Sequence, residues 1–178
     1  HEADDKGFLL SQEACKELFD EGTRVSERFA FLLQLKDYPR VVRDTERNMK
    51  LFRFVNRYAE RQADRENLEK WWPYVLRING MAKALIAADG EDYDRALETV
   101  SQARERINNW PEIEADEFYA ERERSEAALD ELERELLEKK PLSHREQLER
   151  SLQEAIDSEE FERAAVLRDE LKNIQIAE

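Results

Sequence analysis

The chain of 178 residues is 40% charged and 40% hydrophobic, and it contains only 4 glycines, 4 prolines and 1 cysteine. So few turn residues argue against a β-sandwich or β-barrel, whereas abundant Glu, Arg, Leu and Ala favour helices. With 43 acidic and 29 basic residues the net charge is -14, which disfavours general binding to nucleic acids and to anionic membranes.

An all-α fold of about seven helices is therefore expected, arranged as helical hairpins in a bundle or a short α-solenoid. The boundaries follow from capping residues, from prolines and from the spacing of apolar residues. The predicted helices are residues 11–35, 38–62, 65–88, 91–107, 113–137, 144–156 and 159–176.

Local residue chemistry marks several of these boundaries. Asp37 can cap the second helix, and Pro39 is tolerated in its first turn because the missing N–H has no partner there. Pro73 lies too far inside the third helix, so we expect a kink or a restart at that point. Ser143 and Glu146 have the spacing of a capping box, in which each side chain satisfies a backbone N–H at the start of a helix.

The segment Asn108-Asn109-Trp110-Pro111 interrupts the helical pattern and is the best candidate for a domain boundary. The helix that follows it is highly charged and has a narrow apolar seam, which suits packing against one partner helix. We therefore expect an N-terminal domain of helical hairpins in residues 1–110, a long charged connecting helix in residues 111–141, and a C-terminal helical hairpin in residues 142–178.

Three helix starts repeat one pattern, namely an acidic residue, an aromatic residue, any residue and then an arginine. Acidic residues are favourable there because the N-terminal end of a helix carries a partial positive charge. The ring can pack onto the preceding helix and fix the angle of the hairpin. Chance recurrence in so charged a chain is the alternative explanation. The three segments are Asp37-Tyr38-Pro39-Arg40, Asp92-Tyr93-Asp94-Arg95 and Glu160-Phe161-Glu162-Arg163.

The last predicted helix has an apolar face that is wider than its single neighbour can cover. Ala164 and Ala165 are small enough to let two helix backbones approach closely, while Arg168 and Asp169 interrupt the apolar pattern with charges that can pair with a partner. A hairpin this short buries too little to be stable alone. We therefore expect it to pack against the rest of the chain or a second copy. The candidate contact residues are Phe161, Ala164, Ala165, Leu167, Arg168, Asp169 and Leu171.

Residues 148–174 resemble the UVR motif, a helical hairpin named for the bacterial excinuclease subunits B and C, whose contact it mediates. The matching residues are Leu148, Leu152, Ala155, Phe161-Glu162, Ala164-Ala165, Leu167-Arg168-Asp169, Leu171 and Ile174.

The resemblance implies a module for contact between proteins rather than an activity. The partners it implies are another UVR-motif protein, a Clp-type ATPase or a second copy of the chain. The sequence lacks the P-loop of a helicase, an evident set of nuclease carboxylates and the Cys-x-x-Cys pairs of zinc-bearing adaptors. We therefore expect a non-enzymatic interaction or adaptor protein.

The second predicted helix carries a basic face. Residues 36–61 include eight cations and four acids, and six of the cations are separated by three, four or seven residues, which lines them along one side of the helix. This side can pair with acidic helices of the same molecule, or it can dock an acidic partner or a phosphate backbone. The second option gives the alternative function of a nucleic-acid-associated repair or regulatory factor. The six cations are Arg40, Arg43, Arg47, Lys50, Arg57 and Arg61.

The remaining residues predict no catalytic, metal or cofactor site. The only histidines are His1 and His144, so the paired ligands of a di-iron bundle are missing, and Cys15 is expected to be a small buried hydrophobe. Trp71 and Trp72 indicate packing rather than a ligand cage. The single cysteine and the lack of a signal-peptide pattern or a membrane-length apolar stretch favour a cytoplasmic protein without a membrane contact.

Overall fold

Eight α-helices make up the regular structure of residues 7–177, the part of the chain that the computed structural model describes; side chains are described for residues 7–173. Within this part there is no strand, and extended pairing is limited to an isolated bridge between Leu10 and Ala59. The all-α prediction is confirmed. The helices are α1 (Gln12–Gln34), α2 (Tyr38–Tyr58), α3 (Gln62–Glu69), α4 (Trp72–Asp89), α5 (Tyr93–Asn108), α6 (Asp116–Lys139), α7 (His144–Asp157) and α8 (Phe161–Ala177).

The third predicted helix is two helices, which raises the count from about seven to eight. α3 ends at Glu69, and α4 starts at Trp72 with Pro73 in its first turn. At that position the missing N–H of proline costs no hydrogen bond. Of the two outcomes expected at Pro73, the restart is the one observed.

The second helix is shorter than predicted. α2 ends at Tyr58, and Ala59 adopts an extended conformation. The chain leaves the helix here because the N-terminal segment pairs with it: the N–H of Leu10 donates to the carbonyl of Tyr58 at 2.8 Å. The prediction that Arg61 continues the helix is therefore wrong.

The chain forms two compact units, residues 1–138 and residues 139–178. In the first unit α1 packs on α2, α2 on α4 and α4 on α5, so consecutive hairpins stack in chain order, while α3 contacts α1 and α2. α6 joins the core of this unit through Leu129, Leu132 and Leu136. The predicted connecting helix thus shares the core of the helices before it. The second unit contains the hairpin of α7 and α8.

Buried polar side chains fix how α1, α2 and α4 pack together. The amide of Asn48 on α2 donates to the carbonyl of Gly22 at 3.0 Å and to the hydroxyl of Ser26 at 2.9 Å, both on α1. The amide of Asn79 on α4 donates to the hydroxyl of Thr45 on α2 at 2.8 Å. Because a buried polar group without a partner is costly, these bonds favour a single register between the three helices.

The three repeated helix starts form the same turn. Lys36, Glu91 and Glu159 have positive φ angles of 59°, 60° and 59°. In each turn the following residue donates its N–H to the carbonyl five residues earlier, which is the hydrogen bond of a Schellman motif. Asp37 and Asp92 then cap the next helix with their side chains. The repeated sequence pattern therefore coincides with a repeated turn geometry.

Candidate functional site

The C-terminal hairpin begins at a complete capping box. The N–H of Glu146 donates to the Ser143 hydroxyl at 3.2 Å, and the N–H of Ser143 donates to the Glu146 carboxylate at 2.7 Å. α7 then runs to Asp157, and the turn at Glu159 leads into α8. The capping box predicted from the sequence is confirmed, so local residues define where the hairpin starts.

Three of the seven candidate contact residues lie inside the hairpin. Ala164 is buried, as is Ala155 on α7, and these small side chains let the two helices approach closely near the turn. Leu167 and Leu171 are half-buried. Ala164, Leu167 and Leu171 therefore stabilise the hairpin itself, and substitutions there change its stability before they change any contact with a partner. The side chain of Ile174 lies outside the described residues.

The other four candidate residues form an exposed surface, here called the outer face of α8 and defined by Phe161, Ala165, Arg168 and Asp169. The first three are spaced by four and then three residues, which places them along one side of the helix. All four side chains are exposed, and Phe161 is 69% exposed. The outer face thus presents a large ring and two charges around one small residue.

Phe161 differs from the aromatic residues at the same position of the other two turns. Tyr38 is only 8% exposed, and Tyr93 is half-buried against the core of the first unit. Burial, followed by the negative charge of Asp89 at the end of α4, raises the pKa of Tyr38. The prediction that the ring packs onto the preceding helix stays a prediction for the first two turns, where the ring is covered at least in part, and is wrong for the third, where Phe161 is mostly exposed.

Arg168 and Asp169 pair with each other at the outer face. Nη2 of Arg168 lies 3.2 Å from Oδ1 of Asp169, and the two side chains are 58% and 63% exposed. An exposed pair of this kind contributes at most about 1 kcal/mol to stability. Both charges can therefore exchange this contact for one with a partner at little cost.

The six cations of the predicted basic face are all exposed in the first unit. Lys50 has no acidic partner among residues 7–173. The sequence left open whether these cations pair with acids of the same molecule. Several of them do, but Lys50 does not among the described residues, so such pairing involves only part of the basic face. Ion pairs with nearby acids join Arg40 to Asp37, Arg43 to Asp44, Arg47 to Glu21 and Arg61 to Asp64.

Cys15, the tryptophans and His144 occupy positions typical of residues that only support the fold. Cys15 is buried, and burial followed by the charge of Asp64 raises the pKa of its thiol, which disfavours a reactive thiolate. Trp72 lies in the core with its ring centroid 4.1 Å from that of Trp110, and His144 is exposed.

In the described part of the chain, no three His, Cys, Asp or Glu side chains are grouped to hold a metal ion. None of the helices described there has the length and apolarity needed to cross a membrane.

Two exposed apolar side chains lie outside the set of candidate residues named from the sequence. Val166 on α8 is 59% exposed, and Phe54 on α2 is 41% exposed. The sequence does place Phe54 four residues after Lys50 and three before Arg57, a spacing that puts it on the basic face. No comparable pattern marks Val166, because its exposure depends on how α8 is rotated against α7.

Comparison with known proteins gives one match, and it falls on the hairpin. No curated protein and no solved structure matches the chain. The family model described as UVR, the UvrB/uvrC motif, matches residues 145–177. These residues comprise nearly all of α7 and all of α8. The second unit of the chain therefore carries a UVR motif.

Proposed function

We propose that the chain is a non-enzymatic adaptor of the cytoplasm whose UVR hairpin docks a partner protein through the outer face of α8. The observation that carries this proposal is the exposure of Phe161, whose counterparts Tyr38 and Tyr93 are covered in the same turn. Completely burying a side chain of this size is worth about 1.5–3 kcal/mol. The third turn thus keeps an apolar contact available that the first two turns already use.

The outer face also defines the chemistry of the partner. Ala165 lets a helix backbone approach closely beside the Phe161 ring. Arg168 offers a bidentate donor for a carboxylate, and Asp169 accepts from a cation. A helix or helical hairpin with an apolar stripe and one charge of each sign fits this surface. Another UVR-motif protein, a Clp-type ATPase and a second copy of the chain are the candidates that the motif suggests.

The test uses the intact protein as bait in a cell extract, next to a variant carrying Phe161→Ser and Arg168→Asp. Both positions are exposed, so the variant is expected to keep its helicity by circular dichroism while its capture of the partner falls at least tenfold. Val166→Ser is the matched control, because Val166 is similarly exposed and follows Phe161 by five residues, which places it about 140° around the helix from that ring. This control should capture the partner as well as the unchanged protein does.

Equal capture by the double variant and the unchanged protein would contradict the proposal. Sedimentation velocity distinguishes the two kinds of partner: a concentration-dependent dimer that the double variant loses identifies a second copy, and a monomer at all concentrations identifies a different protein. Leu171→Asp is less informative, because Leu171 is half-buried within the hairpin and its loss changes stability.

A further inference from the structure

A band of arginines lies across α1 and α2 in the first unit. The carboxylate of Asp44 is 1% exposed and is shared by two guanidinium groups: Nε of Arg28 lies 2.7 Å from its Oδ2, and Nε of Arg43 lies 3.0 Å from its Oδ1. Both arginine side chains stay about half exposed or more, at 47% and 65%. One negative charge is therefore shared by two cations, and both arginine side chains remain accessible to solvent.

The same arrangement occurs one turn further along. Glu21 accepts from Arg47 at 2.6 Å and from Arg24 at 3.4 Å, and both arginines are exposed. The exposed Lys50 follows Arg47 on α2 and has no acidic partner among residues 7–173. The ion pairs within the molecule consequently leave an excess of positive charge on this surface.

Exposed aromatic rings continue this surface. Phe54 occupies the side of α2 that carries Lys50 and Arg57. Its ring centroid lies 6.2 Å from that of Phe8, which is 51% exposed, and 5.0 Å from that of Tyr58. Phe8 also meets Tyr58 edge-on at 5.3 Å. Three rings therefore gather at the end of the row of cations, and two of them present much of their surface to solvent.

We propose that this surface binds a single-stranded nucleic acid, with the cations on the phosphates and the Phe54 and Phe8 rings stacked on unpaired bases. We define the basic–aromatic face by Arg43, Arg47, Lys50, Phe54 and Phe8. Cations combined with exposed rings are the two elements that single-strand binding uses. A duplex keeps its bases stacked inside, so it can use the cations but not the rings.

The acidic composition of the chain does not cancel this local field. Charges in solvent are screened over about 8 Å at physiological ionic strength, so acids elsewhere on the surface act weakly at the basic–aromatic face. An acidic peptide could also neutralise the cations, but it would leave the rings uncovered. The proposal concerns residues of the first unit alone and does not depend on the docking function proposed for the hairpin.

Fluorescence anisotropy with a fluorescein-labelled oligothymidylate of about 20 nucleotides tests the proposal on the full chain. Binding is expected at low salt and should weaken with salt with a slope of about −2 to −3 in log K against log salt concentration, as neutralisation of three or four phosphates predicts. A duplex of the same length and a polyglutamate competitor are the two comparison ligands. The single strand should bind more tightly than the duplex, and polyglutamate should compete poorly.

Two pairs of variants separate stacking from charge. Phe54→Ala should lower the affinity about tenfold without changing the salt slope, because it removes a stacking platform but no charge. Phe31→Ala is its control, since Phe31 is an exposed phenylalanine of α1 with no ring contact to the cluster. Lys50→Glu should lower both the affinity and the steepness of the salt dependence. Lys172→Glu makes the same change of net charge in the other unit and should alter neither.

The proposal is overturned if the oligothymidylate does not bind at low salt. It is equally overturned if the duplex binds as tightly as the single strand, if polyglutamate competes as well as unlabelled oligothymidylate, or if Phe54→Ala and Phe31→Ala have the same effect. Partner capture by the hairpin variants tests the second unit, whereas oligonucleotide binding tests the first. If the oligonucleotide does not bind, the proposed docking function is unaffected. If the hairpin captures no partner, the nucleic-acid proposal is unaffected.

Discussion

Gly22 and Gly80 both lie inside helices of the first unit, and a Cβ atom is expected to have opposite effects at the two positions. At Gly80 the added atom would clash directly with the Cβ of Ala103, because α4 and α5 touch there. At Gly22 the nearest atom, Cδ2 of Leu51, would lie 3.6 Å away, which is ordinary contact. Close packing therefore requires glycine at position 80 but not at position 22.

This contrast gives a prediction for unfolding in urea. Gly80→Ala should lower the free energy of unfolding by about 1–3 kcal/mol, the usual cost of overpacking a core. Gly22→Ala should raise it by about 0.5–1 kcal/mol, because alanine favours a helix over glycine by that amount. If both variants were stabilised, the close approach of α4 and α5 would be wrong.

The buried Asp44 carboxylate gives a prediction for acid stability. Burial alone would raise its pKa, but hydrogen bonds and charge from Arg28 and Arg43 outweigh burial and hold the pKa below its usual value. A lowered pKa contributes stability above the unfolded value of about 3.9, and the contribution is lost as pH falls through the folded value. Asp44→Asn should therefore cost about 2 kcal/mol at pH 7 and progressively less below about pH 4.

Urea unfolding at pH 7 and at about pH 3 measures this difference. Asp20→Asn, at an exposed position of α1, is the control and should change the free energy of unfolding little at either pH. A cost of Asp44→Asn that stays constant between the two pH values would show that the carboxylate charge is not what the two arginines stabilise.

At the scale of the elements, the repeated Schellman turn has a lysine or a glutamate at the position of positive φ, where glycine is the usual residue. Lys36, Glu91 and Glu159 adopt a positive φ, a region that costs a residue with a Cβ roughly 1 kcal/mol and costs glycine nothing. Lys36→Gly should therefore raise the free energy of unfolding by about 0.5–1 kcal/mol. Leu35→Gly is the control: Leu35 precedes the turn with φ −78° and is exposed, so glycine there should destabilise.

Equal destabilisation by the two glycine variants in urea unfolding would mean that Lys36 does not need the left-handed conformation. The same comparison can be made in the second turn, where Glu91→Gly has the same expected sign.

The elements predictable from the sequence are those fixed by nearby residues. The cap at Asp37, the capping box at Ser143 and the interruption at Pro73, which the sequence leaves open as a kink or a restart, each depend on atoms within a few positions along the chain. The end of α2 could not be predicted in this way, because it depends on pairing with Leu10, far away in sequence.

In the candidate site, too, some features follow from nearby residues and others depend on how the helices pack. The sequence identifies a set of contact residues on α8, but it cannot separate Ala164, which is buried, from Ala165, which is exposed. That separation depends on the rotation of α8 against α7, which only the packed hairpin defines. The exposure of Phe161 is also unpredictable from the sequence, since Tyr38 occupies the same turn position and is covered.

At the scale of the whole molecule, the two units differ in the size of their apolar cores. The first unit has a core built from six helices, with buried hydrogen bonds between α1, α2 and α4. In the second unit Leu148, Ala155 and Ala164 are the buried apolar side chains among residues 139–173. A hairpin with so small a core gains more from a partner than a unit that already buries its own apolar surface. This difference supports the proposal that the second unit is the one that docks a partner.

Site-specific photocrosslinking in living cells tests this claim most directly. A photoreactive benzoylphenylalanine replaces Phe161 in one protein and Val166 in another, and covalent adducts are identified by mass spectrometry. The proposed docking through the outer face predicts an abundant adduct with one defined protein, or with a second copy, from position 161 and little or none from position 166. Adducts of equal yield from the two positions, or none from position 161, would contradict it.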